Sequence, residues 1–389
     1  MGFAEQIAAK AHQLGFDLFG WTTTTSYPLE RYHSWLEEGY QGAMGYLARP
    51  DAVAKRADLT QVLPEVSTVF TVGCNYHTQP LPAALANDPA RGILSSYAWG
   101  DDYHDILLPR LRELGDFVEE TSGQVLDSRA YVDTGPLLER TIAARAGNGF
   151  IGKNTNLIHP RWGSWLFLGE LLLAGPLEGV SPAPAEELAP LGTCGRCTRC
   201  LDACPTGALV APHILDARLC ISYLTIELKG AIPHRLRPLV GNRIFGCDVC
   251  QEVCPWNKRF ARLSQDPAFQ PRPGNIAPQL LELMALDDEA FRQRFQASPV
   301  KRAKRRGLLR NVAVALGNWG NRAAVPELTR ALHDAEPLVR GHAAWALGRI
   351  GTDDAQAALV AALAREADEG VRTELEQALD SQWTGQDRK

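Results

Sequence analysis

Apolar and polar residues follow two different periods along this chain, and the switches between them mark its elements. Residues 4–14 carry apolar side chains at helical spacing and predict an amphipathic helix ending near Gly15. Phe16-Asp17-Leu18-Phe19-Gly20-Trp21 predicts a short strand. Residues 29–48 predict an aromatic-rich helix holding Tyr32, Trp35, Tyr40 and Tyr46. Residues 66–72 are β-branched and apolar, lie just beyond Pro64, and predict a strand. A helix over 105–122 and a strand over 129–133 come next. Helix and strand alternate to about residue 175, which predicts an α/β domain whose strand order the sequence leaves open.

The pattern changes at 176–190, a Pro- and Ala-rich stretch that predicts a linker. Residues 261–300 read as a polar connector with some helix. Beyond them the chain repeats itself. Asn311-Val312-Ala313-Val314-Ala315-Leu316-Gly317 returns as His342-Ala343-Ala344-Trp345-Ala346-Leu347-Gly348, and Val339-Arg340 returns as Val371-Arg372. Ala and Leu at helical spacing, with Gly read as turns, predict helix pairs stacked as a short HEAT-like solenoid.

Bulk composition changes this picture little. The chain has 389 residues, 45% hydrophobic and 22% charged, which suits a protein of several domains with ample core. Met1-Gly2-Phe3-Ala4-Glu5-Gln6 has neither the basic start and apolar core of a signal peptide nor the Ser/Thr of a myristoylation site. No apolar run approaches a membrane span in length. The net charge of −5 gives no overall pull toward nucleic acid. One local exception is residues 301–310, where Lys301, Arg302, Lys304, Arg305, Arg306 and Arg310 occur without an acid. Such a run suits a phosphate backbone, and equally suits a solvated helix face.

Cysteine changes the picture most. Of nine cysteines, eight lie between Cys194 and Cys254. The first run is Cys194-x-x-Cys197-x-x-Cys200-x-x-x-Cys204-Pro205; Cys220 follows; Cys247-x-x-Cys250-x-x-x-Cys254-Pro255 closes the set. Four thiolates hold one [4Fe–4S] cluster, and in this spacing the fourth cysteine of a run ligates the other cluster. That rule groups Cys194, Cys197, Cys200 and Cys254 for one cluster, and Cys204, Cys220, Cys247 and Cys250 for a second. Zinc sites use paired Cys-x-x-Cys but ask for no third cysteine followed by Cys-Pro. Disulfides need an oxidising compartment, and thiolate clusters point instead to a reducing cytoplasm. Cys74 stands apart in the apolar run Val69-Phe70-Thr71-Val72-Gly73-Cys74 and reads as a buried core thiol.

Three further motifs carry candidate chemistry. Gly147-x-x-x-x-Gly152-Lys153-Asn154 nearly spells a P-loop, but Asn154 replaces the hydroxyl that reaches magnesium and helical residues precede it, so nucleotide hydrolysis is rejected. The glycines still allow a close approach of backbone to a large ligand. Asp133, at the end of a strand, could project into a cleft, although the residues alone favour a cap or Asx-turn for the helix near Pro136-Leu137. Tyr97-Ala98-Trp99-Gly100-Asp101-Asp102-Tyr103-His104 is a polar aromatic loop that could line a cofactor. Asp102-Tyr103-His104 begins a cobalt-binding Asp-x-His motif but lacks its glycine, so His104 reads as an ordinary loop hydrogen-bonder.

Together these strings resemble the epoxyqueuosine reductases, which act in queuosine synthesis on tRNA. The resemblance rests on Val132-Asp133-Thr134-Gly135-Pro136, Gly149-Phe150-Ile151-Gly152-Lys153-Asn154, Cys204-Pro205-Thr206-Gly207-Ala208, Arg218-Leu219-Cys220-Ile221-Ser222-Tyr223-Leu224-Thr225 and Gly241-Asn242-Arg243-Ile244-Phe245-Gly246-Cys247-Asp248. It covers nearly the whole chain and extends loosely to reductive dehalogenases. It implies a multidomain fold: an α/β cobalamin-binding domain at 1–180, a ferredoxin-like domain with two [4Fe–4S] clusters at 181–262, a connector at 263–300, and HEAT-like repeats at 301–389 that bind tRNA. It implies cobalamin bound base-off without a protein histidine, and Asp133 as proton donor, its pKa raised by burial under corrin and substrate. Arg56 is implied as a cofactor contact, with Ser95, Leu157, Ser164 and Ser222 in matching segments.

The resemblance further implies an oxidoreductase that removes the epoxide oxygen using two electrons and two protons, with water released. Electrons come from an external low-potential donor through the clusters. The tRNA anticodon stem-loop is the partner, held through Arg302, Lys304, Arg305, Arg306 and Arg310. The protein is expected to be a cytoplasmic monomer away from membranes. A small-molecule dehalogenase would need neither the basic run nor the repeats, and a bare electron carrier or RNA-binding module would not need the N-terminal domain.

Overall fold

The protein, a computed structural model, is described over residues 2–180 and 192–380. The expected linker beyond residue 180 and the expected repeat domain beyond residue 380 lie outside the described residues. The chain divides into two compact units, each assembled from separate stretches. One comprises Met1–Gln79, Gly100–Arg218 and Asp248–Gln270; the other comprises Pro80–Trp99, Leu219–Cys247 and Pro271–Lys389. The stretch expected to hold both clusters is therefore shared, with Cys220 and Cys247 in the second unit and the other six of its cysteines in the first.

The first unit is built on a four-stranded sheet of β1 (Leu18–Thr22), β2 (Val66–Asn75), β3 (Ser128–Tyr131) and β4 (Leu166–Ala174), in the order β1-β2-β4-β3. Every neighbouring pair is antiparallel. Alternation of helix and strand in sequence does not fix which strands become neighbours, and here β4 returns between β2 and β3. β2 runs three residues past its predicted end because it is a central strand, buried along most of its length. Cys74 on that strand is 1% exposed, and its thiol donates to the Gly15 carbonyl, so the core assignment holds.

Successive residues of β4 face opposite sides of the sheet. Gly169 and Leu171 meet α2 (Tyr103–Ser122), whose buried Tyr103, Leu107, Leu111, Leu114 and Val118 form one stripe. α2 starts two residues before its predicted first turn, because Asp102 accepts from the His104 amide as its N-cap. It ends at Gly123, in the left-handed conformation. On the other face, Leu172 packs with Val69, Leu63, Leu59, Leu137 and Ile142, the last from α3 (Glu139–Arg145). Each such leucine contributes about 1.5–3 kcal/mol on burial. Near the N-terminus, α1 (Phe3–Gln13) appears as predicted. The helix expected over 29–48 does not run through: it stops at Glu37, since Gly39 and Gly42 adopt positive φ, and only a short 3-10 turn follows at Gly45–Leu47.

The second unit stacks five helices: α4 (Lys304–Trp319), α5 (Val325–Ala331), α6 (Pro337–Ile350), α7 (Asp353–Leu363) and α8 (Glu369–Asp380). The repeated glycines are not the turns expected from sequence. Gly317 and Gly348 lie inside α4 and α6. A Cβ on Gly317 would come within 2.6 Å of the Trp345 ring, and one on Gly348 within 2.9 Å of Ala378. They let α4 approach α6, and α6 approach α8. The turns are made by Gly320 and Gly351, both left-handed. Buried polar groups fasten this stack to residues 219–247 of the same unit. Asn311 donates to the Thr225 and Ile244 carbonyls, and His342, its counterpart one repeat on, accepts from the Ile232 amide. Arg237, wholly buried, forms a forked ion pair with Glu374 on α8.

Candidate functional site

Asp133 follows the end of β3 with φ of +52°, a backbone conformation that costs a non-glycine residue energy and clusters at functional sites. Two neighbours hold it there. Its amide donates to Glu139 Oε1 at 2.8 Å, from the first turn of α3, and the buried Tyr103 hydroxyl donates to Asp133 Oδ2 at 2.8 Å. Asp133 therefore caps nothing; Leu138 occupies the N-cap of α3, and the cap reading of the sequence is corrected. The carboxyl stands exposed. Tyr103 is itself clamped between His104 and Phe167, with ring centroids at 4.1 and 4.2 Å.

Two further carboxyls feel the charge of Asp133. Glu139 has its pKa raised by burial and by the charge of Asp133. Glu170 on β4 pairs in register with Tyr131 and Thr71, is fully buried, and neither of its carboxyl oxygens has a hydrogen-bond partner among the described residues. Burial first, then Glu139 and Asp133, push it well above the usual carboxylate range. Neither glutamate, nor the pairing of Tyr103 with Asp133, was among the residues expected from sequence. An available signal was one acid inside the apolar run Leu166-Phe167-Leu168-Gly169-Glu170-Leu171-Leu172-Leu173.

Arg56 is buried on the helix Pro50–Ala57, where Nη1 donates to the Ala52 carbonyl and the guanidinium lies 5.6 Å from the Tyr32 ring centroid. Its charge is felt at Glu139, which places it near the carboxyl group. Leu157 is buried in a short hairpin of Phe150–Ile151 with Leu157–Ile158. Ser164 is buried too; its amide donates to Asn257 Oδ1 and its hydroxyl to Gln251 Oε1. Ser95 and Ser222 belong to the second unit: Ser95 donates its amide to the Phe245 carbonyl, and Ser222 lies on the helix Ile221–Ile226. His104 lies in the first turn of α2, not in the loop expected from the sequence, and places Nδ1 2.7 Å from Asp102 Oδ1.

In the first unit, Cys194, Cys197, Cys200 and Cys254 line one cavity of about 120 Å³, closed by Ile158, Pro255 and Trp256 on its apolar side. Burial and the neighbouring Cys194 thiol raise the Cys200 pKa. Four sulfurs around a small, partly apolar hollow suit a cuboidal cluster, and amide donors supply the N–H···S contacts that stabilise its negative charge. Lys153 N–H points to Cys194 Sγ at 3.4 Å, and Ala208 N–H to Cys204 Sγ at 3.3 Å. At Cys204, burial is outweighed by amides of Thr206, Leu209 and Ala208 and by the Thr206 hydroxyl, so the thiol pKa is lowered.

The basic run divides by burial. Arg310 is 1% exposed and donates to the carbonyls of Leu224, Leu228 and Gly230, so it braces the second unit and does not face solvent. Arg305 forks onto Asp334 and donates to the Leu286 carbonyl. Arg302 is exposed in an ion pair with Glu227, Lys304 is exposed, and Arg306 is half-exposed near Glu336.

Closely spaced cluster cysteines, a strained acid on an α/β sheet and a stack of helix pairs on one chain define an iron–sulfur oxidoreductase extended by HEAT repeats. Three family matches agree: a 4Fe-4S double cluster binding domain over residues 193–257, epoxyqueuosine reductase QueG over 56–134, and HEAT repeats over 302–380. The chain belongs to the epoxyqueuosine reductase family. It is 43% identical to the epoxyqueuosine reductase of Pseudomonas aeruginosa, over 90% of this chain and 94% of that one. It is 35% identical to that of Bacillus subtilis, over 97% and 95%. A crystal structure of an epoxyqueuosine reductase with an epoxyqueuosine-modified tRNA-Tyr stem loop superposes with a TM-score of 0.86 at 34% identity, over 97% of this chain and 98% of that one. A Bacillus subtilis structure, whose catalytic aspartate loop is swung out of the active site, matches with a TM-score of 0.85 at 34% identity over the same shares. Among the described residues no helix is long and apolar enough to cross a membrane.

Proposed function

We propose that this chain reduces epoxyqueuosine to queuosine at the wobble position of tRNA, with cobalamin as the reducing centre and two [4Fe–4S] clusters as its electron supply. The observation that carries the reading is family membership over nine-tenths of the chain together with an exposed acid, Asp133, fixed by Tyr103 and Glu139. Residues 1–180 are assigned to cobalamin and catalysis, 181–262 to the clusters, 263–300 to the connector and 301–389 to tRNA. Cys194, Cys197, Cys200 and Cys254 hold one cluster; Cys204, Cys220, Cys247 and Cys250 hold the other.

Cobalamin, when bound, supplies low-potential reduction of the epoxide-bearing carbon, which no side chain can supply. Its rim of amides and its phosphate need buried donors. Arg56 fits: among the described residues its Nε and Nη2 have no protein hydrogen-bond partner, and it lies near the carboxyl group. Ser95, Leu157, Ser164 and Ser222 are assigned to the same cofactor, bound without a histidine from this chain. The remaining steps belong to the protein. Removing the epoxide oxygen as water takes two electrons and two protons. Asp133 delivers the first proton to the departing oxygen, which would otherwise leave as a poor alkoxide. The Tyr103 hydroxyl engages Oδ2, which leaves Oδ1 to carry that proton, and the Glu139 contact keeps the backbone from turning the carboxyl away.

Anaerobic turnover of epoxyqueuosine-containing tRNA, followed by mass spectrometry of the released nucleoside, tests the activity; no conversion by cluster- and cobalamin-loaded protein refutes it. Asp133→Asn should keep its cobalamin spectrum while turnover falls by about 10²–10⁴-fold, the usual contribution of a positioned acid. Unchanged turnover would remove the acid role.

A further inference from the structure

Lys153 takes no part in the proposed chemistry, and Asn154 in place of a hydroxyl residue rules out a nucleotide-hydrolysing P-loop around it. Its contacts point to the cluster cavity of the first unit. Lys153 lines that cavity together with Cys194, Cys197, Cys200 and Cys254. Its backbone amide donates to Cys194 Sγ at 3.4 Å. Its ammonium donates to the Gly195 carbonyl at 2.8 Å and the Cys197 carbonyl at 3.0 Å, so it is bound within the Cys194-to-Cys197 loop itself. One residue thus gives this loop an N–H···S contact and a fixed positive charge.

The segment bearing Lys153 is held firmly. His213 Nδ1 donates to the Gly152 carbonyl at 2.9 Å, and the His213 amide donates to the Lys153 carbonyl at 3.0 Å. Asn154 reaches the Cys250 carbonyl at 3.3 Å, and Arg140, next to Glu139, donates to the Thr155 carbonyl. Gly152 packs closely here: a Cβ would come within 2.5 Å of Ile158 Cδ1, which would have to move. The same few residues therefore connect the helix that latches Asp133 with a cysteine of the cluster.

We propose that Lys153 sets the reduction potential of the cluster held by Cys194, Cys197, Cys200 and Cys254, and is a positioning residue for electron delivery. The inference rests on these four cysteines holding a [4Fe–4S] cluster. The step it governs is a one-electron reduction: the cluster core goes from 2+ to 1+, and with four thiolates the net charge goes from −2 to −3. The electron comes from an external low-potential donor. A fixed ammonium beside the added charge favours the −3 state and raises the potential. The amide donating to sulfur acts in the same direction and survives any change of the side chain.

The test is a redox titration of the anaerobically reconstituted full chain with dithionite, followed by electron paramagnetic resonance. In Lys153→Met, one of the two clusters should lose about tenfold in its reduced-to-oxidised ratio at fixed potential, a shift of about 59 mV to more negative values, while the other stays in place. Lys153→Arg should stay near the parent. If Lys153→Met loses iron, Lys153→Gln, which keeps an amide donor for the carbonyls, is titrated in its place. Equal midpoints in the parent and the neutral variant, with full iron in both, overturn the inference. A parent protein without two titrating clusters would instead overturn the cluster reading, so the two failures are distinguishable.

Discussion

Asp133 is one carboxyl among three, and its two companions differ from it in kind. Asp133 is exposed and anchored, whereas Glu170 is enclosed and has no hydrogen-bond partner for its carboxyl oxygens among the described residues. The raised pKa of Glu170 has a consequence for stability. Below its ordinary value of 4.5 both the folded and the unfolded chain hold the proton, and nothing is lost. Above it the unfolded chain releases the proton while the folded chain keeps it, so stability falls as pH rises. Glu170→Gln should remove that dependence: melting temperatures measured between about pH 5 and pH 8 should decline less in the variant than in the parent. Parallel curves would mean that Glu170 is ionised in the fold. At this scale the sequence was legible in part. Asp133 could be picked out but read alone as a cap, because a cap and a poised acid share the same local string. Tyr103 and Glu139 reach it from elements that only the fold brings together.

Element boundaries followed local chemistry where one residue could decide them, as at Asp102 and Gly123 around α2. They failed where a pattern was continuous but the backbone was not, as in the aromatic stretch interrupted by Gly39 and Gly42. The repeat glycines show the same limit differently. Periodicity found Gly317 and Gly348, yet a glycine at a turn and a glycine at a helix crossing look alike in one sequence. Their environments separate them. Gly348→Leu would drive a side chain into Ala378 on α8. It should cost about 1–3 kcal/mol or more by overpacking, read as a lowered denaturation midpoint with little change in slope. The same substitution at Gly351, which is left-handed but meets only the Gly348 carbonyl at 3.6 Å, should cost through backbone strain and not through disturbed helix packing.

For the whole molecule, charge matters more by position than by sum. A chain of net charge −5 presents Arg302, Lys304 and Arg306 at its surface, while Arg305 and Arg310 serve its interior. Neutralising Arg302, Lys304 and Arg306 together should weaken binding of an epoxyqueuosine anticodon stem-loop. It should also flatten the dependence of log affinity on log salt, by about 0.7–0.9 for each phosphate that is no longer neutralised. Unchanged affinity and slope would assign the run to solvation. Changing Arg310 should lower stability and leave the salt slope as it was, since its guanidinium is bound to three carbonyls.

The sequence alone determined the cysteine spacing, the repeats, most helices and strands, and family membership, because each is written in neighbouring residues or a fixed period. The tertiary structure decided the rest. It placed β4 between β2 and β3. It turned Glu170 inward, withdrew Arg310 from solvent and set Lys153 among the cluster cysteines. These depend on burial and on distances between residues far apart in the chain, and no local pattern encodes either.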